Sequence, residues 1–182
     1  PLPVGRIRQD PAPGTATEAD VTAIHDREKR LYELVEGVLI EKTTGFDESC
    51  LASVINMFLC SFVRERSLGI VASSDGTIKL APGLVRIPDV AFFSLERMRA
   101  RRLPRQPIPR LVPDLAVEVL SEGNTEEEME EKLDDYLKAG VRLVWYVDPR
   151  AQTVRVFAPR KTPKTVRMGQ TLDGGSVLEG FT

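Results

Sequence analysis

The sequence is poor in the residues that build many compact active sites. Its 182 residues include one histidine, His25, and two cysteines, Cys50 and Cys60. One histidine excludes a multi-histidine metal site and argues against a serine or cysteine triad. Both cysteines fall on one predicted helix, too far apart along it to pair, and read as buried, reduced thiols. The net charge is only −2, which argues against strong non-specific nucleic-acid binding by the chain as a whole. No apolar run approaches bilayer length and the first residues carry no signal-peptide pattern, so a cytoplasmic protein is expected. There is no internal repeat and no heptad run.

What is present is ordinary for one globular domain: 42% apolar and 29% charged residues. Chemistry must therefore rest on carboxylates, lysines, arginines and hydroxyls. Charge is unevenly spread. "ERMRARRLPRQPIPR", Glu96 to Arg110, carries six arginines and one acid. "SEGNTEEEMEEKLDDY", Ser121 to Tyr136, carries eight acids and one lysine.

Residues 1–16 lack periodicity and predict an irregular arm, followed by a short helix from Thr17 to about Asp26 with Thr17 and Asp20 at capping-box spacing. "RLYELVEGVLIEK" reads as a hairpin turning at Glu36-Gly37. "FDESCLASVINMFLCSFVRER" is the clearest helix. Asp47 is its expected N-cap, and Leu51, Val54, Ile55, Phe58, Leu59, Phe62 and Val63 form its expected buried stripe, headed by Glu48. "GIVAS", "TIKLA" and "LVRIPDVAFF" read as strands, the arginine-rich segment as a loop, and "DLAVEVL" as a central strand. A helix follows from about Thr125 to Ala139, with a Thr125–Glu128 capping box and Gly140 closing it. "VRLVWYV" and "TVRVFAP" follow as antiparallel strands, and the tail suggests a hairpin at Asp173-Gly174-Gly175. The expected fold class is α/β, with a mixed central sheet and one helix on each side.

Two carboxylates sit where water is excluded. Pro88 cannot donate to a ladder, so Asp89 stands at an irregular point of an apolar strand, facing the same side as Ala91 and Phe93. Glu118 shares a face with Asp114, Ala116 and Leu120. Two buried carboxylates on neighbouring strands repel unless a cation lies between them, and a divalent metal meets that need. Lys132 flanks the predicted buried stripe Met129, Leu133, Tyr136 and Leu137. Its stem could reach inward, or it could make an exposed i, i+4 pair with Glu128. Tyr136 and Trp145 read as core residues, and His25 as a surface one.

In this order, Glu48 on a helix, "RIPD" with Asp89, "VEVL" with Glu118 and a helical Lys132 resemble the PD-(D/E)XK nuclease superfamily, whose fold is the restriction-endonuclease-like one. More narrowly, "YELVEGVLIEK", "IPDVAFFS", "PDLAVEVLS", "EKLDDYLKAGVRLVWYVDP" and "TVRVF" resemble the restriction-endonuclease family often called Uma-two, over roughly Leu31 to Phe157. The resemblance implies residues 1–30 as an arm with a short helix, and 31–182 as the nuclease-like domain. It implies Asp89 and Glu118 as metal ligands, the Val119 carbonyl as a third, Glu48 as a helper, and Lys132 as the migrated motif lysine, since Leu120 stands where that lysine normally sits. Glu33 remains as a further acid. The implied activity is hydrolysis of DNA phosphodiesters with Mg²⁺ or Mn²⁺, with a homodimer possible. In that reading Arg97, Arg99, Arg101, Arg102 and Arg105 contact the DNA backbone. The residues alone leave alternatives open: an ion-pair role for the buried acids, a solvated face for Lys132, a cap or dipole role for Glu48, a solvated loop for the arginine-rich segment, and a non-catalytic DNA-binding or interaction module on the same fold.

Overall fold

The computed structural model describes residues 3–98 and 104–182. Among the described residues, two sheets, three α-helices and a short 3-10 turn at Val4–Arg6 make up the fold. Helix α1 is Glu18–Glu28, α2 Phe46–Glu65 and α3 Glu126–Ala139. Strands β1 (Tyr32–Val35), β2 (Val38–Glu41), β4 (Ile78–Ala81) and β5 (Leu84–Arg86) form an antiparallel sheet ordered β2-β1-β5-β4. Strands β3 (Gly69–Ser73), β6 (Val90–Ser94), β7 (Leu115–Val119), β8 (Leu143–Asp148), β9 (Thr153–Phe157) and β10 (Lys164–Arg167) form a larger sheet ordered β10-β9-β8-β7-β6-β3. Among the described strands only β7 and β8 run parallel, with α3 as their crossover, which is the connection a parallel pair requires. The mixed α/β class expected from the sequence is observed.

Alternation along the large sheet sorts its two faces. Phe92, Leu115, Val117 and Trp145 face α2 through Ala52, Leu59 and Val63. Ala91, Phe93, Ala116 and Tyr146 face α3 through Met129 and Tyr136, joined by Ile78 and Leu80 of the small sheet. The small sheet's other face packs on Val21 and Ile24 of α1 through Tyr32, Leu34, Leu39 and Val85.

Several elements differ from the sequence expectation. "LVRIPDVAFF" is two strands. β5 belongs to the small sheet and β6 to the large one, so Ile87, Pro88 and Asp89 form the crossing between sheets. Helix α2 is capped by Gly45, whose backbone is extended, and Asp47 lies in the first turn. Its expected stripe is narrower than the sequence pattern suggests. Ala52, Leu59 and Val63 are buried, while Val54 and Phe58 are 48% and 57% exposed. Cys50 is exposed as well, and so is not a core thiol. By length and composition α2 is also apolar enough to cross a membrane, contrary to the expectation that no apolar run approaches bilayer length. Its inner face is instead fixed in the core. At α3 the capping box is only half formed. Thr125 Oγ1 accepts the Glu128 N–H, but the Glu128 carboxylate turns away to Arg6. The tail makes an isolated Gly174–Leu178 bridge rather than a strand pair, and Leu178 with Phe181 seals the α2-side core.

The expected features at α1 and the first hairpin hold. Thr17 and Asp20 form a reciprocal capping box, and Gly140 ends α3 at φ 95°. Glu36 and Gly37 both have positive φ, 47° and 79°, the signature of a two-residue I′ turn. The arm packs on that turn, with the Gly14 and Ala16 N–H groups both donating to the Gly37 carbonyl at 2.9 Å. A Cβ at Gly37 would meet the Gly14 carbonyl oxygen at 2.5 Å. Gly37→Ala is therefore expected to cost roughly 1–3 kcal/mol from left-handed strain and clash. That loss lowers Tm by several degrees in a thermal melt, and an unchanged melt would show that the arm does not rest on this turn.

Candidate active site

The α3-facing side of the two sheets carries a buried charge cluster. Glu33, Arg86, Asp89, Glu118, Glu128 and Lys132 are all less than a tenth exposed. Each arrives by ordinary alternation. On the first hairpin Tyr32, Leu34 and Leu39 face α1. Glu33, Ile40 and, one step past β2, Lys42 therefore face the other way. On β5, Val85 faces α1 and Arg86 does not. On β7, Ala116 and Glu118 share the α3 side.

The cluster is organised around Glu118 and Asp89. Lys42 Nζ lies 2.9 Å from Asp89 Oδ1 and 3.3 Å from Glu118 Oε2. Lys132 Nζ lies 2.9 Å from Glu118 Oε1 and 3.0 Å from Glu33 Oε1. The Tyr136 hydroxyl donates to Glu118 Oε1 at 2.5 Å. Asp89 Oδ2 accepts the Val119 N–H at 2.7 Å. Each of the two central carboxylates thus has one oxygen fixed by the protein, and the other turned toward the same ammonium. Glu33 also accepts from Arg86 at 2.8 Å and from the Ile87 N–H at 3.0 Å. Arg86 is shared with Asp135 of α3.

These contacts set the protonation states. Burial opposes ionisation of Glu33, but Lys132, Arg86 and Lys42 together hold its carboxyl well below the usual range. Burial likewise opposes the charge on Lys42. Glu118, Asp89 and Glu33 outweigh it and push the ammonium above the ordinary lysine range. Burial, reinforced by Glu118, pushes the Tyr136 hydroxyl up, so it remains a donor.

The cluster forms the wall of a narrow polar cleft of about 20 Å³, room for about one water. Six carboxylates line it, from Glu33, Glu41, Glu48, Asp89, Glu118 and Glu128, against three cations, Arg6, Lys42 and Lys132. All three cations are paired with acids. Among the described residues no three of His, Cys, Asp or Glu gather as a metal cage. The convergent donors are the Asp89–Glu118 pair.

Of the residues singled out in the sequence, Asp89, Glu118, Val119, Lys132 and Glu48 all line this cleft. Lys132 is buried and does not make the exposed pair with Glu128. Glu48 folds its carboxylate back over Gly45 at the start of α2, a place where a helix N-terminus favours negative charge. Arg97 is elsewhere. It pairs with Asp114 at 3.0 Å and donates to the Gly140 carbonyl at 2.7 Å. Asp114 lies about 13 Å from Glu118 at the strand rise. Arg105 is exposed, and Arg99, Arg101 and Arg102 fall outside the described residues. Sequence reasoning missed Lys42 and Arg86 as partners, and read Tyr136 as plain core. For Lys42 the signal was available: it falls on the same side of the hairpin as Glu33.

Against this geometry, the comparisons are specific. The sequence model of the Uma2 family, described as "Putative restriction endonuclease", matches residues 19–182. The chain belongs to the Uma2 family. A search of curated proteins finds no match. Among solved structures, a "putative nuclease belonging to DUF820" from Anabaena variabilis ATCC 29413 superposes with a TM-score of 0.71 at 21% identity. The match covers 82% of this chain and 84% of that one. At that identity the likeness shows the fold, so this Uma2 chain shares the fold of that protein. The match begins inside α1, so the arm through Ala16 lies outside it, although Arg6 reaches the cleft.

The ion network makes a pH signature. Glu33 is depressed in the fold, so its contribution is fully present above its ordinary value of 4.5 and is lost as pH falls below it. Lys42 is raised, so its contribution is fully present below 10.5 and declines as pH rises above that. Denaturant unfolding against pH should show a plateau between these limits. Lys132→Met should lower it by about 3–5 kcal/mol, because Glu33 and Glu118 lose a shared partner. A variant as stable as the parent would mean the lysine is not needed to neutralise them.

Proposed function

We propose that the cleft hydrolyses a DNA phosphodiester with the help of a divalent cation, Mg²⁺ or Mn²⁺. The observation that carries the reading is the convergence of Asp89 Oδ1 and Glu118 Oε2 on one cationic point. Their second oxygens are already held by Val119 N–H, Tyr136 and Lys132. Two aimed carboxylate oxygens are the hard donors that such an ion takes, with waters and substrate oxygens completing its shell. The residues present therefore fit the ion: Asp89 and Glu118 would hold it, with the Val119 carbonyl and Glu48 at the rim. When bound, such an ion lowers the pKa of a coordinated water and offsets charge on phosphoryl oxygens. The acid excess in the cleft supports the same requirement. A phosphate entering it meets carboxylates whose lysine partners are already engaged, so a further positive charge is needed to bind it.

The chain's own residues have separate tasks. Tyr136 and Lys132 keep Glu118 in one orientation, and Glu33, itself fixed by Arg86, in turn holds Lys132. Lys42 occupies the shared point, and with Asp89 and Glu118 holding an ion there its ammonium would be free for the phosphate. Leu120 packs among the α3-side apolar residues, so the lysine function falls to Lys132 and Lys42. One observation favours the non-catalytic alternative: Lys42 already neutralises Asp89 and Glu118, as it would in a purely structural ion pair.

Supercoiled plasmid incubated with Mn²⁺ or Mg²⁺ separates the two. Nicking and linearisation are expected, lost with chelator and reduced about 100-fold or more in Asp89→Ala and Glu118→Ala. Intact plasmid, or cleavage that survives both substitutions, sinks the nuclease reading. Lys42→Met provides a readout without turnover. Removing the tethered competitor should tighten Mn²⁺ binding several-fold in calorimetry, whereas unchanged or absent binding would show that the shared point does not accept a metal.

A further inference from the structure

Helix α2 has two apolar faces, and the core uses only one. The inner face places Ala52, Leu59 and Val63 against the large sheet. The outer face exposes Val54 at 48%, Met57 at 57% and Phe58 at 57%, beside exposed Cys50, Ser53 and Ser61. No charged residue interrupts the helix between Glu48 and Arg64. Asp47 stands at one end of the outer face and Arg64 at the other, both exposed. Once exposure separates the faces, Asp47, Cys50, Val54, Met57, Ser61 and Arg64 fall on one outward line with alternating steps of three and four. Such spacing suits a helix–helix seam. It is short, and the inward apolar residues conceal it in the sequence.

This line matches itself in reverse. In an antiparallel pair of α2 helices crossing between Ile55 and Asn56, Val54 meets the second copy's Met57, and Cys50 meets Ser61. Bulky Phe58 meets small Ser53. Asp47 meets Arg64 at both ends, so the charges that close the outward line find their opposites. A parallel pairing would instead set Asp47 against Asp47 and Arg64 against Arg64. A surface complementary to itself under two-fold rotation is what an isologous dimer requires, and an exposed apolar patch rimmed by charge marks an interaction surface. We infer that the outer face of α2 docks on the same face of a second copy of this chain, antiparallel, as a two-fold homodimer. The helix begins at the cleft, where Glu48 lines the wall. The pairing therefore brings Arg64 of the second copy beside the acidic mouth.

Sedimentation velocity across a concentration series tests the association, and Phe58→Glu and Met57→Lys should each shift the protein to monomer. Asp47→Arg alone should weaken the dimer, and Asp47→Arg with Arg64→Asp should restore it. That rescue excludes misfolding as the cause. Orientation has its own readout. Ser61→Cys in a Cys60→Ser background should oxidise to a covalent dimer through Cys50, and the same background without Ser61→Cys should not. A parent that stays monomeric at all concentrations overturns the inference. So does a dimer indifferent to these substitutions, or a face that instead binds lipid vesicles.

Discussion

The architecture depends on neutralising carboxylates that the sheets carry inside. Burying one unpaired carboxylate costs several kcal/mol, and Glu33, Asp89 and Glu118 are buried together. Their partners come from different elements: Lys42 from the end of the first hairpin, Arg86 from β5, Lys132 and Tyr136 from α3. The small sheet pairs Glu33 with its own Arg86, but Glu118 of the large sheet takes its cations from the first hairpin and from α3. The small sheet, the large sheet and α3 must therefore assemble together. An intermediate lacking α3 would strand Glu33 and Glu118 with two fewer partners. The network adds little net stability, because the cations were solvated before folding too. Its effect is to make one docking of the two sheets far better than its neighbours.

The same constraint shapes the cleft. A strand that stayed in one sheet from Leu84 to Ser94 could not offer Arg86 to Asp135 and Asp89 to Lys42. Pro88 ends the small-sheet ladder and lets the chain cross. Asp89 then uses a side-chain oxygen to take the Val119 N–H. The acid is fixed by the irregularity that places it there. Leu120, two residues beyond Glu118, is taken up by packing, and the positive charge is supplied from two other elements.

Much of this was legible in the sequence because it depends on period-two alternation. Asp89 and Glu118 could be assigned to inward faces from Ala91, Phe93 and Ala116, whereas Lys132 stayed open between an inward reach and an exposed pair with Glu128 until the ion pairs with Glu118 and Glu33 decided it. Lys42 and Arg86 were not found, because their roles depend on which strands share a sheet. "LVRIPDVAFF" carries no mark, apart from Pro88, that its two halves do not. Glu128 was read as half of a capping box because spacing cannot show a competing partner from the arm, Arg6. On α2 the apolar count was right and the faces were merged. A period near 3.6 cannot separate a core stripe from an adjoining exposed one when both are apolar.

Lys42 gives the cleft a property that a bare pair of acids would lack. Two carboxylates left facing each other repel, and at protein-surface dielectric that repulsion is about 4 kcal/mol at 4 Å. Without a cation they would rotate apart or share a proton, and the site would have to rebuild before it could act. A tethered ammonium holds them convergent at all times. It carries one charge and sits on a flexible stem, so a doubly charged ion in the same place gains more from both oxygens than the lysine does. On the proposed reading the lysine would be a placeholder, strong enough to keep the geometry and weak enough to be displaced, while Val119, Tyr136 and Lys132 keep the second oxygens of Asp89 and Glu118 fixed.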